Sequence, residues 1–276
     1  MVGADAGLDQ KGSRMTIIKP QPLDRAEPMR ANLRWVLLFA GLIVAPVLAD
    51  ADLPRDTLWM VVRSCGTAKS VFGTPFPCLT VRTGPQGFAV LRAPGSATHL
   101  VVTPTVRLSG LESPTVRSST AAQSWRAALD ARNIVVTGAG GRLHLGDVAL
   151  AINPKRARGQ DQLHIHVDCA SPEVLRLVRG RASAIGPNWA PLPEPIEGNG
   201  YWARRVDRAL LRDEDAFASL RKLPKPEMDP TEATFGAVSL LEDGTGDFIH
   251  LASQAPRSKA EDVLDSSCAA HVRNEG

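Results

Sequence analysis

Between Gln162 and Cys169 the chain reads Gln-Leu-His-Ile-His-Val-Asp-Cys, an unbroken alternation of polar and apolar residues. A period of two is the mark of a β-strand with one face in a core. Leu163, Ile165 and Val167 take the apolar face. Gln162, His164, His166 and Asp168 take the other, with same-face neighbours ~6.6 Å apart at the usual strand rise. The chain holds six histidines, and two of them share this face within three residues. Directly upstream, Asn153-Pro-Lys-Arg-Ala-Arg-Gly-Gln160 places Lys155, Arg156 and Arg158 on a loop that can fold back toward the strand end. Imidazoles beside ammonium and guanidinium groups suit an anionic, phosphorylated substrate.

The remainder bounds the class of protein. With 276 residues, 43% hydrophobic and 22% charged, the chain is neither disordered nor a multispan membrane protein. Its net charge is +3. Six cations against four carboxylates fall within residues 1–34, so the rest is near neutral. One tyrosine and 5% aromatics leave little for a base-stacking surface, and no nucleic-acid partner is expected.

Residues 35–49, Trp-Val-Leu-Leu-Phe-Ala-Gly-Leu-Ile-Val-Ala-Pro-Val-Leu-Ala, are uncharged and apolar, with Arg30 and Arg34 before them. As a helix the run spans ~22 Å, short of the ~30 Å hydrocarbon core. Val47 and Ala49 are placed as a signal peptidase requires. Residues 29–54 therefore read as a signal peptide or signal anchor, and 1–28 as a polar extension with Met29 an alternative start. The body, 55–276, is expected to be exported. Cys65, Cys78, Cys169 and Cys268 all follow the apolar run and fit an oxidising compartment. Three pairings are open. The local choice, Cys65 with Cys78, closes a Gly, Thr, Ser and Pro-rich loop from Gly66 to Pro77 and leaves Cys169 for Cys268.

The body reads as one α+β domain. Phe88–Leu91 and Leu100–Val102 form a hairpin. Ser119–Arg132 is a helix with Ser118 or Ser119 as cap. Val148–Ile152 and Gln162–Val167 are strands, and Pro172–Arg181 is a helix capped by Ser171. Gly186–Gly200 is loop. Tyr201–Val206, Phe235–Leu241 and Phe248–Leu251 are strands, and Ala260–Leu264 a terminal helix. His99 and His144 flank strands and read as surface or satisfied residues. Trp189 offers either an apolar wall for acyl chains or loop packing.

The strand motif resembles the histidine-triad superfamily, whose signature is His-φ-His-φ-His-φ-φ preceded by a phosphate-binding loop. The chain is more closely similar to the bacterial CDP-diacylglycerol pyrophosphatase family. Leu150-Ala-Ile-Asn153, Arg158-Gly-Gln160 and Gln162–Cys169 carry that likeness. His99–Pro104, Gly110-Leu-Glu-Ser-Pro114 and Tyr201–Val206 support it. The resemblance implies a histidine-triad-like antiparallel sheet with flanking helices, preceded by the apolar signal or anchor segment. It implies hydrolysis of CDP-diacylglycerol to CMP and phosphatidate without cofactor or metal. The body would lie at the periplasmic face of the inner membrane, anchored by residues 35–49 or released after Ala49. His164 is then the nucleophile and His166 the third triad residue. Gln162 stands where the strict motif has histidine, and Gln160, Asn153, Lys155, Arg156 and Arg158 join it in substrate binding. Aligning Gln160 instead with the glutamine of the superfamily's nucleoside-hydrolase branch makes His166 second and Asp168 third. Two other functions stay open on the residues alone. One is a metal-dependent phosphohydrolase using His164, His166 and Asp168; the other is a non-enzymatic binder of nucleotide or lipid head groups.

Overall fold

The computed structural model describes residues 54–117, 119–212, 215–224, 229–268 and 271. The apolar run 35–49, the extension before it and the candidate cap Ser118 lie outside the described residues. Among the described residues no helix is long and apolar enough to cross a membrane.

The alternating segments build an α+β fold on one antiparallel sheet. Its strands are β1 (Thr80–Arg82), β2 (Phe88–Arg92), β3 (Leu100–Pro104), β4 (Val148–Ile152), β5 (Ile165–Cys169), β6 (Ala190–Pro191), β7 (Trp202–Val206), β8 (Thr234–Ser239) and β9 (Phe248–Ser253). They lie in the order β1-β2-β3-β5-β4-β8-β9-β7-β6. The expected hairpin is β2–β3, with Val90 opposite Val102.

One face is covered by helix α2 (Ser119–Gly138). Trp125, Ala128 and Leu129, at the i, i+3, i+4 spacing, pack with Leu100, Leu150, Ile165, Val167 and Phe235 in one buried cluster. The helix runs six residues beyond Arg132, through Ile134-Val-Val-Thr137. β-Branched residues lower helix propensity only slightly, and burial of Val135 outweighs that cost.

The second face has two separate covers. Helix α3 (Pro172–Gly180) lays Val174, Leu177 and Val178 over Ala149, Ala151, Val238, Ile249 and Leu251. At the other edge, helix α1 (Thr57–Phe72) sets Val62 and Cys65 against Val81, Ala89 and Leu91. Between these covers, β5 presents its polar residues.

Helix α1 was hidden in the sequence. Its apolar residues fall together at Leu58–Val62 rather than at helical intervals, and the segment from Gly66 on reads as loop. The structure corrects this: Gly66–Phe72 is helical, and the helix stops at Gly73, which adopts φ 75° and donates its N–H to the Lys69 carbonyl. The Cys65–Cys78 disulfide staples α1 to the chain entering β1, and Cys169–Cys268 ties the end of β5 to the C-terminal segment. Ala260–Leu264 is not an α-helix. A single 3₁₀ turn, Ala260–Asp262, leads into a bridge between Leu264 and Ala170. A short helix, α4 (Ala216–Leu220), was also unforeseen; the Asp215 carboxylate caps its Phe217 and Ala218 N–H groups.

Candidate active site

β5 begins at Ile165, three residues later than the alternation predicts. The cause is Gln162, whose side chain is fully buried and bonds a neighbouring loop. Its amide nitrogen donates to the carbonyls of Pro104 and Val106, each at 2.9 Å, and its Oε1 accepts from the Leu108 N–H at 3.3 Å. What Gln162 offers the histidine row is its backbone carbonyl, which accepts from His164 Nδ1 at 2.7 Å. A carbonyl only accepts, so the proton sits on Nδ1 and the lone pair on Nε2.

His166 lies between Val101 of β3 and Ala151 of β4. Its ring centroid is 4.9 Å from that of His164, at an interplanar angle of 74°. The Asn153 Oδ1 accepts from the Ala260 N–H at 2.8 Å, which turns the amide nitrogen toward His166 Nε2, 3.5 Å away. His166 Nε2 is therefore an acceptor, so Nδ1 carries the proton and donates to His99 Nε2 at 2.9 Å. His99 then directs its own Nδ1–H toward the buried Asp168 carboxylate, 3.9 Å distant. The polarity of the chain Asn153 to His166 to His99 is set at the Asn153 end, and the Asp168 carboxylate lies beyond hydrogen-bond reach of His99.

His99 is a correction to the sequence reading, which left it as a surface or satisfied residue. It stands one residue before β3, and extending the Leu100–Val167 register puts it opposite Asp168. Only the β3–β5 pairing, between segments more than sixty residues apart, brings it there. The signal available was the chain's scarcity of histidine. His144 stays outside the site, 3.9 Å from Glu242.

Burial pushes the His164 ring below the ordinary histidine range, against the opposing effect of its Gln162 hydrogen bond. Burial, then the neighbouring His164 and His99, pushes His166 well below it. Both rings are neutral at pH 7. Burial raises Asp168.

The basic loop is organised differently from the expectation. Arg158, with a side chain only 3% exposed, forms a bidentate pair with Glu112 at 2.7 Å and 2.7 Å and a further bond to Asp161 at 3.1 Å. Gly110 makes room for it: a Cβ there would stand 2.2 Å from Arg158 Nη1. Arg156 donates to the carbonyls of Glu232, Ala255 and Pro256. Gln160 Oε1 accepts the Leu58 N–H at 2.8 Å, satisfying a donor in the first turn of α1. Lys155 is exposed, and its ammonium makes no ion pair with another described residue. Arg205 pairs with Asp247 at 3.8 Å. Trp189 packs against the α2-side core and donates its ring N–H to the Ser219 carbonyl at 2.9 Å, a packing role.

The alternative metal set does not converge. Among the described residues, the one group that brings three ligand atoms within 4.8 Å of one another is Asp168, Cys169 and Cys268. Its two sulfurs are bonded to each other. His99 separates His166 from Asp168.

Fold and site together describe a hydrolase-like arrangement: two adjacent histidines, one just before a central antiparallel strand and one on it, with a basic loop upstream. The family model described as CDP-diacylglycerol pyrophosphatase matches residues 53–272. The chain is 32% identical over 241 residues to "CDP-diacylglycerol pyrophosphatase" of Yersinia pestis, covering 84% of this chain and 90% of that one. It is 28% identical over 226 residues to "Probable CDP-diacylglycerol pyrophosphatase" of Mycobacterium leprae, covering 80% and 83% respectively. The chain belongs to the CDP-diacylglycerol pyrophosphatase family, and is an enzyme of the hydrolase class.

Proposed function

We propose that this protein cleaves the pyrophosphate of CDP-diacylglycerol to CMP and phosphatidate, with His164 as nucleophile in a histidine-triad-like site. The observation that carries the choice of nucleophile is the 2.7 Å bond from His164 Nδ1 to the Gln162 carbonyl, which leaves Nε2 with its lone pair and no partner among the described residues. Both nitrogens of His166 have partners, Asn153 and His99.

In this reading, Nε2 of His164 attacks the phosphorus of the cytidylyl group. The bond from that phosphorus to the bridging oxygen breaks, and phosphatidate leaves with the electron pair. As a phosphate monoester it is a good leaving group and needs no strong acid. Water then attacks the same phosphorus, the N–P bond breaks, and CMP departs with His164 restored. His166, neutral and with an acceptor nitrogen, receives the water proton and passes it to solvent as CMP leaves, which restores both rings. The Nδ1–H of His164 stays on the Gln162 carbonyl throughout and stabilises the imidazolium of the adduct. His99 and Asp168 are positioning residues, since they act through His166. Lys155 is the free cation of the loop and holds a phosphate. Arg156, Arg158, Gln160 and Gln162 shape the loop that carries it.

The compartment is part of the proposal. Residues 29–54 act as signal peptide or signal anchor and put the body on the periplasmic face of the inner membrane, where two disulfides are stable. The test is mass spectrometry of enzyme quenched during turnover of CDP-diacylglycerol, combined with His164→Ala. A cytidylyl adduct on His164 and loss of about four orders of magnitude in kcat, with an unchanged circular dichroism spectrum, are expected. An adduct on His166, or full activity in His164→Ala, overturns the assignment.

A further inference from the structure

Eight large apolar side chains are exposed among the described residues, and six of them belong to one lobe. Met60, Val71 and Phe72 lie on α1, Phe76 and Leu79 on the segment that the Cys65–Cys78 disulfide fastens to it, and Val106 across a groove from it. Phe72 is 75% exposed and Phe76 79%. Aromatic rings that protrude this far from a stapled loop contribute nothing to the core. The apolar cluster under α1, with Val62, Cys65, Val81, Ala89 and Leu91, does not include them.

The charge of the same lobe is one-sided. From Thr57 to Leu111 the chain has no aspartate or glutamate and five cations: Arg63, Lys69, Arg82, Arg92 and Arg107. Arg107 faces Asp56, and Lys69 donates to the Val81 carbonyl. Arg63 and Arg82 are exposed, and Arg63 lines the same groove as Val106. The rest of the chain, by difference from the total of +3, carries −2. In sequence, seven residues separate Ala49, the last of the apolar run, from Thr57, the first of α1.

We infer that α1 and its disulfide-held loop form a docking surface for an anionic lipid bilayer, with Phe72 and Phe76 entering the interface and Arg63 and Arg82 meeting lipid phosphates. Apolar tips with exposed cations in excess, the one carboxylate of the lobe, Asp56, being paired with Arg107 at the start of α1, match such a surface in both chemistry and sign. α1 lies on the same side of the sheet as the histidine row, and its first turn is tied to the loop before that row by Gln160. Docking would therefore bring the site to a substrate whose acyl chains remain in the membrane. This inference rests on the proposed lipid substrate.

The test compares two substrates with the full chain: CDP-dioleoylglycerol in vesicles containing phosphatidylglycerol, and the water-soluble CDP-dihexanoylglycerol. For the pair Phe72→Ser with Phe76→Ser, vesicle kcat/KM is expected to fall by roughly tenfold or more. Arg63→Gln and Arg82→Gln should each cost about fivefold on anionic vesicles, an effect removed by neutral vesicles or high salt. The soluble substrate reports folding and should be turned over within about twofold of the parent rate. Equal losses on both substrates, or none on vesicles, overturn the inference. A parent dimer that the double variant dissociates without change in vesicle turnover gives the surface to a second copy instead, and also overturns it. If the parent cleaves neither substrate, the functional reading fails by itself. Flotation of parent and variants with the same vesicles then decides the docking surface independently, retained flotation of the double variant overturning it.

Discussion

Arg158 separates two roles that a basic loop can play. Read from sequence it is a phosphate ligand; read from the structure it holds the loop together. Its guanidinium makes two bonds of 2.7 Å to Glu112 and two, of 3.1 Å and 3.3 Å, to Asp161. Removing one member of a buried pair costs about 3–5 kcal/mol, because the partner is left charged and dry. Here the partners retain some water, with side-chain exposures of 23% for Glu112 and 33% for Asp161, and Asp161 keeps Arg55 at 2.6 Å. The cost of Arg158→Met should accordingly lie lower, at about 2–3 kcal/mol. At 2–4 °C per kcal/mol for a body of this size, Tm falls by roughly 4–12 °C. Differential scanning calorimetry at pH 7 measures it. Below the transition, KM for CDP-diacylglycerol in mixed micelles should stay within about threefold of the parent value. A Tm unchanged to within a degree, together with a KM raised tenfold or more, would refute the reasoning and return the guanidinium to the substrate phosphates.

Four further outcomes are expected. With His164 and His166 both held below the ordinary histidine range, the acid limb of kcat/KM against pH should fall below ~6.5; a limb centred above that value contradicts the neutral pair. His99→Ala and Asp168→Asn should lower kcat by about 10²-fold with little change in KM, and shift the pH profile of the surviving activity, which a purely structural loss would leave in place. His250, buried between Trp125 and Phe235, is depressed to about 3. Its unfolded value is higher, so the unfolded state takes up the proton first. Stability is full above ~6.5 and is lost as pH falls toward about 3, by about 3 kcal/mol between pH 7 and pH 4; urea unfolding of His250→Leu should show a flatter acid side. Removing the Cys169–Cys268 bridge by double serine substitution should cost about 4–5 kcal/mol, against about 3 for Cys65–Cys78, because it closes the longer loop; denaturant midpoints with unchanged slope decide this.

The strand that carries the histidines was legible because alternation is a local property, and the residues that bond it to its neighbours sit two apart. The helices α2 and α3 were legible for the same reason, from their spacing and from Pro172 and Glu173 in the first turn of α3. Helix α1 was not, because the residues that bury it, Val81, Ala89 and Leu91, belong to a different hairpin. Nor was the role of Gln162, which looks like an altered triad member in sequence but turns its side chain to Pro104, Val106 and Leu108. His99 shows the limit most directly. The stretch it opens, His99–Pro104, carries a family likeness but no periodicity that gives it a role, and the feature that recruits it is a register between two distant strands.

The same register explains how the site is held to its geometry. His99 stands just before β3, Asn153 just after β4, and His166 and Asp168 on β5, so three adjacent strands set their mutual distances. β5 is central, paired on both sides, and its other face puts Ile165, Val167 and Cys169 into the cluster around Trp125. A slip of one residue would send His164, His166 and Asp168 into that core and bring the aliphatic residues to the site, so the hydrophobic packing of α2 opposes every such slip. The opposite face needs polar residues only where neither α1 nor α3 reaches. The histidine row thus occupies the stretch of sheet that two unrelated apolar covers leave open, and the core beneath it, rather than the row itself, sets the spacing of the imidazoles.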